Sequence, residues 1–273
     1  RSALCVPVMS GEDTLALLYV YKTRALSHPF DQRDLQLAVA IGHQASLTIQ
    51  RTRLLERLQQ ERHDRLILQR FLSPRETESI LPDYLKTGQL PEMAERTLTV
   101  LFADIRSATR LAERLGPKRF GSLLSRFFSE MMQAVFEHDG LLCNFTGDGL
   151  LAVFGMFSQS EPEVRAVTTA QAMLTRLAAV NQAENEAIEL GIGLNTGPLW
   201  AGYLDMQDRF EFSVVGETVN IAQMLEQRAG GNHVLVGPAT AAAIGQRFKL
   251  QPSEPLEIKG RAEPVPVHEV SSQ

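Results

Sequence analysis

Thr-Val-Leu-Phe-Ala-Asp-Ile (99–105) and Asn-Phe-Thr-Gly-Asp-Gly-Leu-Leu-Ala-Val-Phe-Gly (144–155) decide how this chain is read. The first is an apolar run that turns acidic at Asp104, the pattern of a buried strand whose end leaves the core. The second places Asp148 in the tight Gly-Asp-Gly turn of a β-hairpin. If these strands are neighbours, the two carboxylates converge and offer hard oxygen ligands to Mg²⁺, which binds phosphates in turn. Phosphoryl or nucleotidyl transfer is then the chemistry to expect. Taken alone the pair is weak, because an acid in such a turn is more often only turn chemistry.

Working outward, the pattern predicts a strand at 97–104, helices across 107–137, a hairpin at 140–154 and a helix at 162–183. A second hairpin at 188–203, a strand near 211–215 and a helix at 217–228 come next. Strands near 233–236, 247–250 and 255–270 complete the reading. Strand and helix alternate around two hairpins, which suits an α+β fold with a ferredoxin-like β-α-β-β-α-β core.

Upstream, Ala-Leu-Cys-Val-Pro-Val (3–8) and Leu-Ala-Leu-Leu-Tyr-Val-Tyr (15–21) flank Ser-Gly-Glu-Asp (10–13), a hairpin too small to bury a core by itself. From Asp31 to Leu72 a helical pattern runs without a break. Leu47, Leu54, Glu61 and Leu68 share one heptad position, and Arg51, Leu58, Arg65 and Leu72 share the other. Half of that seam is charged or long and polar, which predicts a marginal parallel dimer rather than a firm coiled coil. The plainer alternative is a solvated linker helix.

Five segments, in order, resemble the catalytic domain of the class III adenylate/guanylate cyclases: 101–109, 145–155, Gly-Leu-Asn-Thr-Gly-Pro-Leu-Trp-Ala-Gly (193–202), Phe-Ser-Val-Val-Gly-Glu-Thr-Val-Asn-Ile-Ala (212–222) and Ile-Lys-Gly (258–260). The first hairpin and helix, residues 1–49, resemble the end of a GAF sensor domain. Residues 50–94 look like a coiled-coil signalling helix and the transducer element that precedes such cyclases, and 95–273 is the cyclase-like domain. The resemblance implies conversion of a nucleoside triphosphate, with ATP favoured and GTP also open, to a 3′,5′-cyclic nucleotide and pyrophosphate. It implies a parallel homodimer with its sites at the interface, each holding two Mg²⁺ or Mn²⁺ ions.

By the same resemblance Asp104 and Asp148 hold the metals, backbone N–H groups from Ile105 to Thr109 cradle the triphosphate, and Lys259 contacts phosphate. Where family members read adenine with Lys and Asp, this chain has Asn144 and Glu211. An amide and a carboxylate can bond either purine, so the base stays open. The family's ribose-orienting Asn is Asn220, but its charge-stabilising Arg, four residues on, is Met224. Arg228 lies one further turn along that face and is a candidate substitute. The alternative is a catalytically degraded cyclase homology domain that binds nucleotide, or dimerises, as a regulatory module.

Composition narrows the classes. The 273 residues are 44% hydrophobic with net charge −5 and interspersed signs, so no basic field points to nucleic acid. Cys5 and Cys143 lack metal-ligand spacing and read as buried free thiols of a reducing compartment. No apolar run approaches the roughly 20 residues that span a bilayer, and no signal-peptide pattern opens the chain. A cytoplasmic protein with no membrane segment here is the expectation.

Overall fold

A computed structural model divides the chain into two units, Arg1–Phe71 and Leu72–Gln273. It describes residues 2–23, 28–68, 74–206, 209–258, 260 and 263–271.

In the first unit β1 (Ser2–Ser10) and β2 (Asp13–Lys22) form an antiparallel hairpin, turned at Gly11 with φ +61°. Helix α1 (Gln32–Leu68) starts at a reciprocal cap. Asp31 Oδ1 accepts the N–H groups of Arg33 and Asp34 at 2.8 and 2.9 Å, and Asp34 Oδ2 accepts that of Asp31 at 3.1 Å. The Ser46 hydroxyl donates to Met9 O, fastening α1 to β1. Strand alternation turns Val6 and Val8 inward and leaves Cys5 exposed, so the expectation of a buried thiol fails there. Leu47, Leu54 and Leu58 are exposed on α1. Leu72, and the side chains of Glu61, Arg65 and Leu68, lie outside the described residues.

The second unit opens with α2 (Pro74–Ser79) and α3 (Leu81–Thr87). The central elements are β3 (Ala94–Ile105), α4 (Ala108–Glu137), β4 (Leu141–Phe145), β5 (Gly149–Phe154), α5 (Pro162–Glu184) and β6 (Leu190–Met206). These six give the β-α-β-β-α-β unit. Their strands lie in the order β4-β5-β3-β6, with β3 antiparallel to both neighbours, as the ferredoxin-like reading requires. The chain continues through β7 (Arg209–Val215), α6 (Glu217–Arg228), β8 (Val234–Val236), α7 (Pro238–Ile244), β9 (Leu250–Leu256) and β10 (Val265–Val270). Strands β8, β10 and β9 extend the sheet beyond β6, and β7 pairs with the far end of β6.

Alternation along β3 divides the core. Leu101, Ala103 and Ile105 face α4 and α5, whereas Leu98, Val100 and Phe102 share a second cluster with Leu151, Phe212 and Ala222 of α6. Asp104, two residues past Phe102, therefore lies on the α6 side.

Three sequence expectations fail here. Residues 188–203 are not a hairpin: β6 is one strand of 17 residues, and the hairpin is β6 with β7. Gly197-Pro198 reads as a turn, yet both residues pair with β3. The opposite edge of β6 pairs β8 only at 192–194 and β7 only from Trp200 on, and an unpaired edge tolerates proline. No strand forms at 247–249, and 255–270 is not continuous, because β9 ends at Leu256 and β10 begins at Val265. Helix α7, with Pro238 at its start and an alanine run, was not anticipated. Among the described residues no helix is long and apolar enough to cross a membrane.

Candidate active site

Register brings the two acids together. Asp104, the penultimate residue of β3, pairs with Gly149, the first of β5, and Asp148 immediately precedes that glycine. The turn is closed by Thr146 N–H donating to Gly149 O at 2.9 Å, with Gly147 at φ +83°. Only glycine fits at 149: a Cβ there would strike Asp104 Oδ1 and lie 2.6 Å from Ala103 O. Burial lifts the Asp104 carboxyl above its ordinary range, the neighbouring charge of Asp148 lifts it further, and Arg106 opposes both. Two like charges held this close favour a cation, and paired oxygen donors suit Mg²⁺ or Mn²⁺. Among the described residues no group of three or more His, Cys, Asp and Glu could hold a metal ion by itself.

Beyond Ile105, which is buried, Arg106 N–H donates to Glu189 O at 2.8 Å, so that N–H is committed within the sheet. Ser107 takes the left-handed conformation, φ +56°, and starts α4 without a side-chain cap. Thr109 is exposed in the first helical turn, where backbone N–H groups and the helix dipole attract anions.

The base-reading candidates lie on two further strands. Asn144 is exposed on β4, just after a bulge, and Glu211 is half-buried on β7 opposite Leu204. These strands approach each other over the second cluster, where Cys143 and Phe212, their immediate chain neighbours, are both packed.

Helix α6 carries the remaining candidates on successive turns. Asn220 is exposed. Met224 packs against the cluster of Ile221, Leu225, Leu256, Val265 and Val267. Arg228 is engaged elsewhere, donating to Glu254 Oε2 at 2.5 Å and to Pro255 O at 2.8 Å. Lys259 lies outside the described residues. The helix rests directly on β6, since a Cβ at Gly193 would strike Glu226 N and Ala222 O. Arg106 ties it to the end of β3 through an ion pair with Glu226, a side chain 7% exposed, and a bond to Glu226 O at 3.1 Å. Sequence reasoning missed this pair. A charged residue just past the end of β3, two positions after Asp104, is the one local signal for it.

Residues 91–269 match the family described as the adenylate and guanylate cyclase catalytic domain, and residues 1–49 match the GAF domain. The chain belongs to the adenylate and guanylate cyclase catalytic domain family. Among solved structures, the adenylyl cyclase CyaB from P. aeruginosa superposes with TM-score 0.64 at 26% identity, covering 67% of this chain and 97% of that one. The guanylyl cyclase Cya2 gives TM-score 0.62 at 31% identity, over 65% and 93%. The guanylate cyclase domain of RhGC from Catenaria anguillulae, in complex with GTP, gives 0.61 at 27%, over 66% and 99%. Among curated sequences, the uncharacterized proteins Rv1320c and Rv1319c of Mycobacterium tuberculosis are 34% and 33% identical over 176 and 175 residues. Those stretches cover 63% and 62% of this chain but 30% and 32% of the relatives, so the match spans about a third of their length.

Proposed function

We propose that this cyclase-family domain converts a nucleoside triphosphate, ATP in preference to GTP, to the 3′,5′-cyclic nucleotide and pyrophosphate. The ribose 3′-oxygen bonds to the α-phosphorus as its proton leaves, and the bond from the α-phosphorus to the bridging oxygen of the β-phosphate breaks. Convergence of Asp104 and Asp148 at paired strand ends is the observation that carries this reading. Asp104 and Asp148 would hold two Mg²⁺ or Mn²⁺ ions, which would supply charge neutralisation at the phosphates and acidity at the 3′-hydroxyl.

The chain's own groups bind and orient. The N-terminus of α4, from Ser107 to Thr109, receives phosphate, and Lys259 adds a cation. Asn144 and Glu211 read the base, and Asn220 orients ribose. In a parallel homodimer the acids of one protomer face Asn220 of its partner, with the GAF-like residues 1–49 as sensor and 50–94 as signalling helix and transducer, in the cytoplasm. The test is Mg²⁺-dependent triphosphate binding in Asp104→Ala and Asp148→Ala variants that still melt cooperatively. Both are expected to lose it, and unchanged binding in either removes the metal-site reading.

One observation favours a second reading, a degraded domain kept as a nucleotide-binding regulator. Met224 is packed among hydrophobic side chains and Arg228 is tied to Glu254, so α6 presents no guanidinium beside Asn220.

A further inference from the structure

The segment that precedes the catalytic strand sends one buried carboxylate into the core. Glu76 of α2 is 6% exposed and its neighbour Thr77 2%, unusual burial for a helix of six residues. The Tyr203 hydroxyl donates to Glu76 Oε1 at 2.6 Å. Tyr203 lies opposite Phe212 in the β6–β7 ladder, and the two rings meet edge to face with centroids 5.2 Å apart. Cys143 of β4 packs against the same cluster. Burial drives its thiol pKa upward, and the nearby charge of Glu76 adds to the rise. Through Tyr203 of β6, Glu76 is tied to Phe212 of β7, the residue next to Glu211. α2 is held from outside as well, because Arg75 Nε donates to Asp139 Oδ1 at 2.6 Å.

We infer that Glu76 and Tyr203 are positioning residues for base selection: their hydrogen bond fixes the Tyr203 ring against Phe212 of β7, and so sets where the adjoining Glu211 meets the nucleobase. Neither touches substrate. A purine is read by a few hydrogen bonds whose geometry tolerates little error, so a small shift of one strand changes the preference between adenine and guanine more than it changes phosphate binding. The segment starting at Pro74 therefore bears on which triphosphate the site prefers, as well as on whether the domain is held together.

The inference rests on the proposed reading of Asn144 and Glu211, and the experiment separates the two. The probes are 3′-deoxy-ATP and 3′-deoxy-GTP with Mg²⁺, which bind without cyclising, and the readout is the ratio of their dissociation constants. Tyr203→Phe keeps the ring and removes the hydroxyl, and is expected to change that ratio about threefold or more relative to wild type. Glu76→Gln keeps an acceptor for the hydroxyl and is expected to stay within about twofold, while Glu76→Leu behaves like Tyr203→Phe. Cooperative melting of each variant excludes collapse. If Tyr203→Phe melts like wild type and leaves the ratio unchanged, or weakens both probes by a common factor, the positioning role is overturned. If wild type binds neither probe, the reading of the site fails and the inference with it.

Discussion

Replacing Met224 with arginine separates an enzyme that lacks one group from a domain that has abandoned catalysis. The loss of a single charge-stabilising donor costs about 3 to 4 kcal/mol in barrier, or on the order of 10²–10³ in rate. Restoring it should recover at least about tenfold in turnover, even with imperfect geometry. The structural cost is small. Met224 is half-buried against Ile221, Leu225, Leu256, Val265 and Val267, and the arginine stem can cover much of that surface. The penalty is on the order of 1 kcal/mol of stability. Arg228, one turn further, adds a like charge at i+4, but its guanidinium is occupied by Glu254, so the repulsion is a few tenths of a kcal/mol at about the usual helical value. The assay is pyrophosphate release at saturating triphosphate, with Met224→Arg expected to raise kcat while nucleotide affinity stays nearly constant. Arg228→Ala in the wild-type background should leave kcat almost unchanged, because the structure points that side chain at β9. A severe loss in Arg228→Ala, with no gain in Met224→Arg, would refute this reasoning. A pair of inert proteins that still bind triphosphate would favour the regulatory reading.

Two further outcomes are expected. Because burial and Asp148 raise the Asp104 pKa, the folded apo protein holds this proton more tightly than the unfolded chain, so between the unfolded and folded values apo stability falls as pH rises. Mg²⁺ competes with that proton, and the Tm increase it produces should be larger near about pH 8 than near about pH 5, with equal increases counting against Asp104 as a ligand. In the signalling helix, deleting seven residues from α1 restores the heptad phase whereas deleting three or four rotates the catalytic domain downstream, so cyclase activity should survive the first better. Equal activity after all three deletions would exclude a rotational transmitter.

Much of the catalytic unit was legible because its signals are local. The apolar run ending at Asp104 and the Gly-Asp-Gly turn each fix an element within a few residues, and helix 217–228 forms as its pattern predicts. What escaped depends on distant partners. Gly197-Pro198 carries the signature of a turn, but β3 pairs along the whole segment, and only that pairing decides for a strand. Cys5 sits in an apolar run, and only the side of the hairpin facing α1 shows that it points outward. Arg106 meets Glu226 across 120 residues, and Tyr203 meets Glu76 across 127, separations that no periodicity reports. The acids were readable as a pair. The tie between the strand that bears Asp104 and the helix that bears Asn220 was not.

The central claim, that Asp104 and Asp148 serve nucleotidyl cyclisation, is tested most directly by product analysis. Purified protein is incubated with each nucleoside triphosphate and Mg²⁺ or Mn²⁺, beside Asp104→Ala and Asp148→Ala, and the products are separated and identified by mass. The account predicts a 3′,5′-cyclic nucleotide and pyrophosphate in equal amounts from wild type, with ATP the better substrate, and neither product from the two variants. No cyclic product from any triphosphate, or the same yield after either acid is removed, would contradict it.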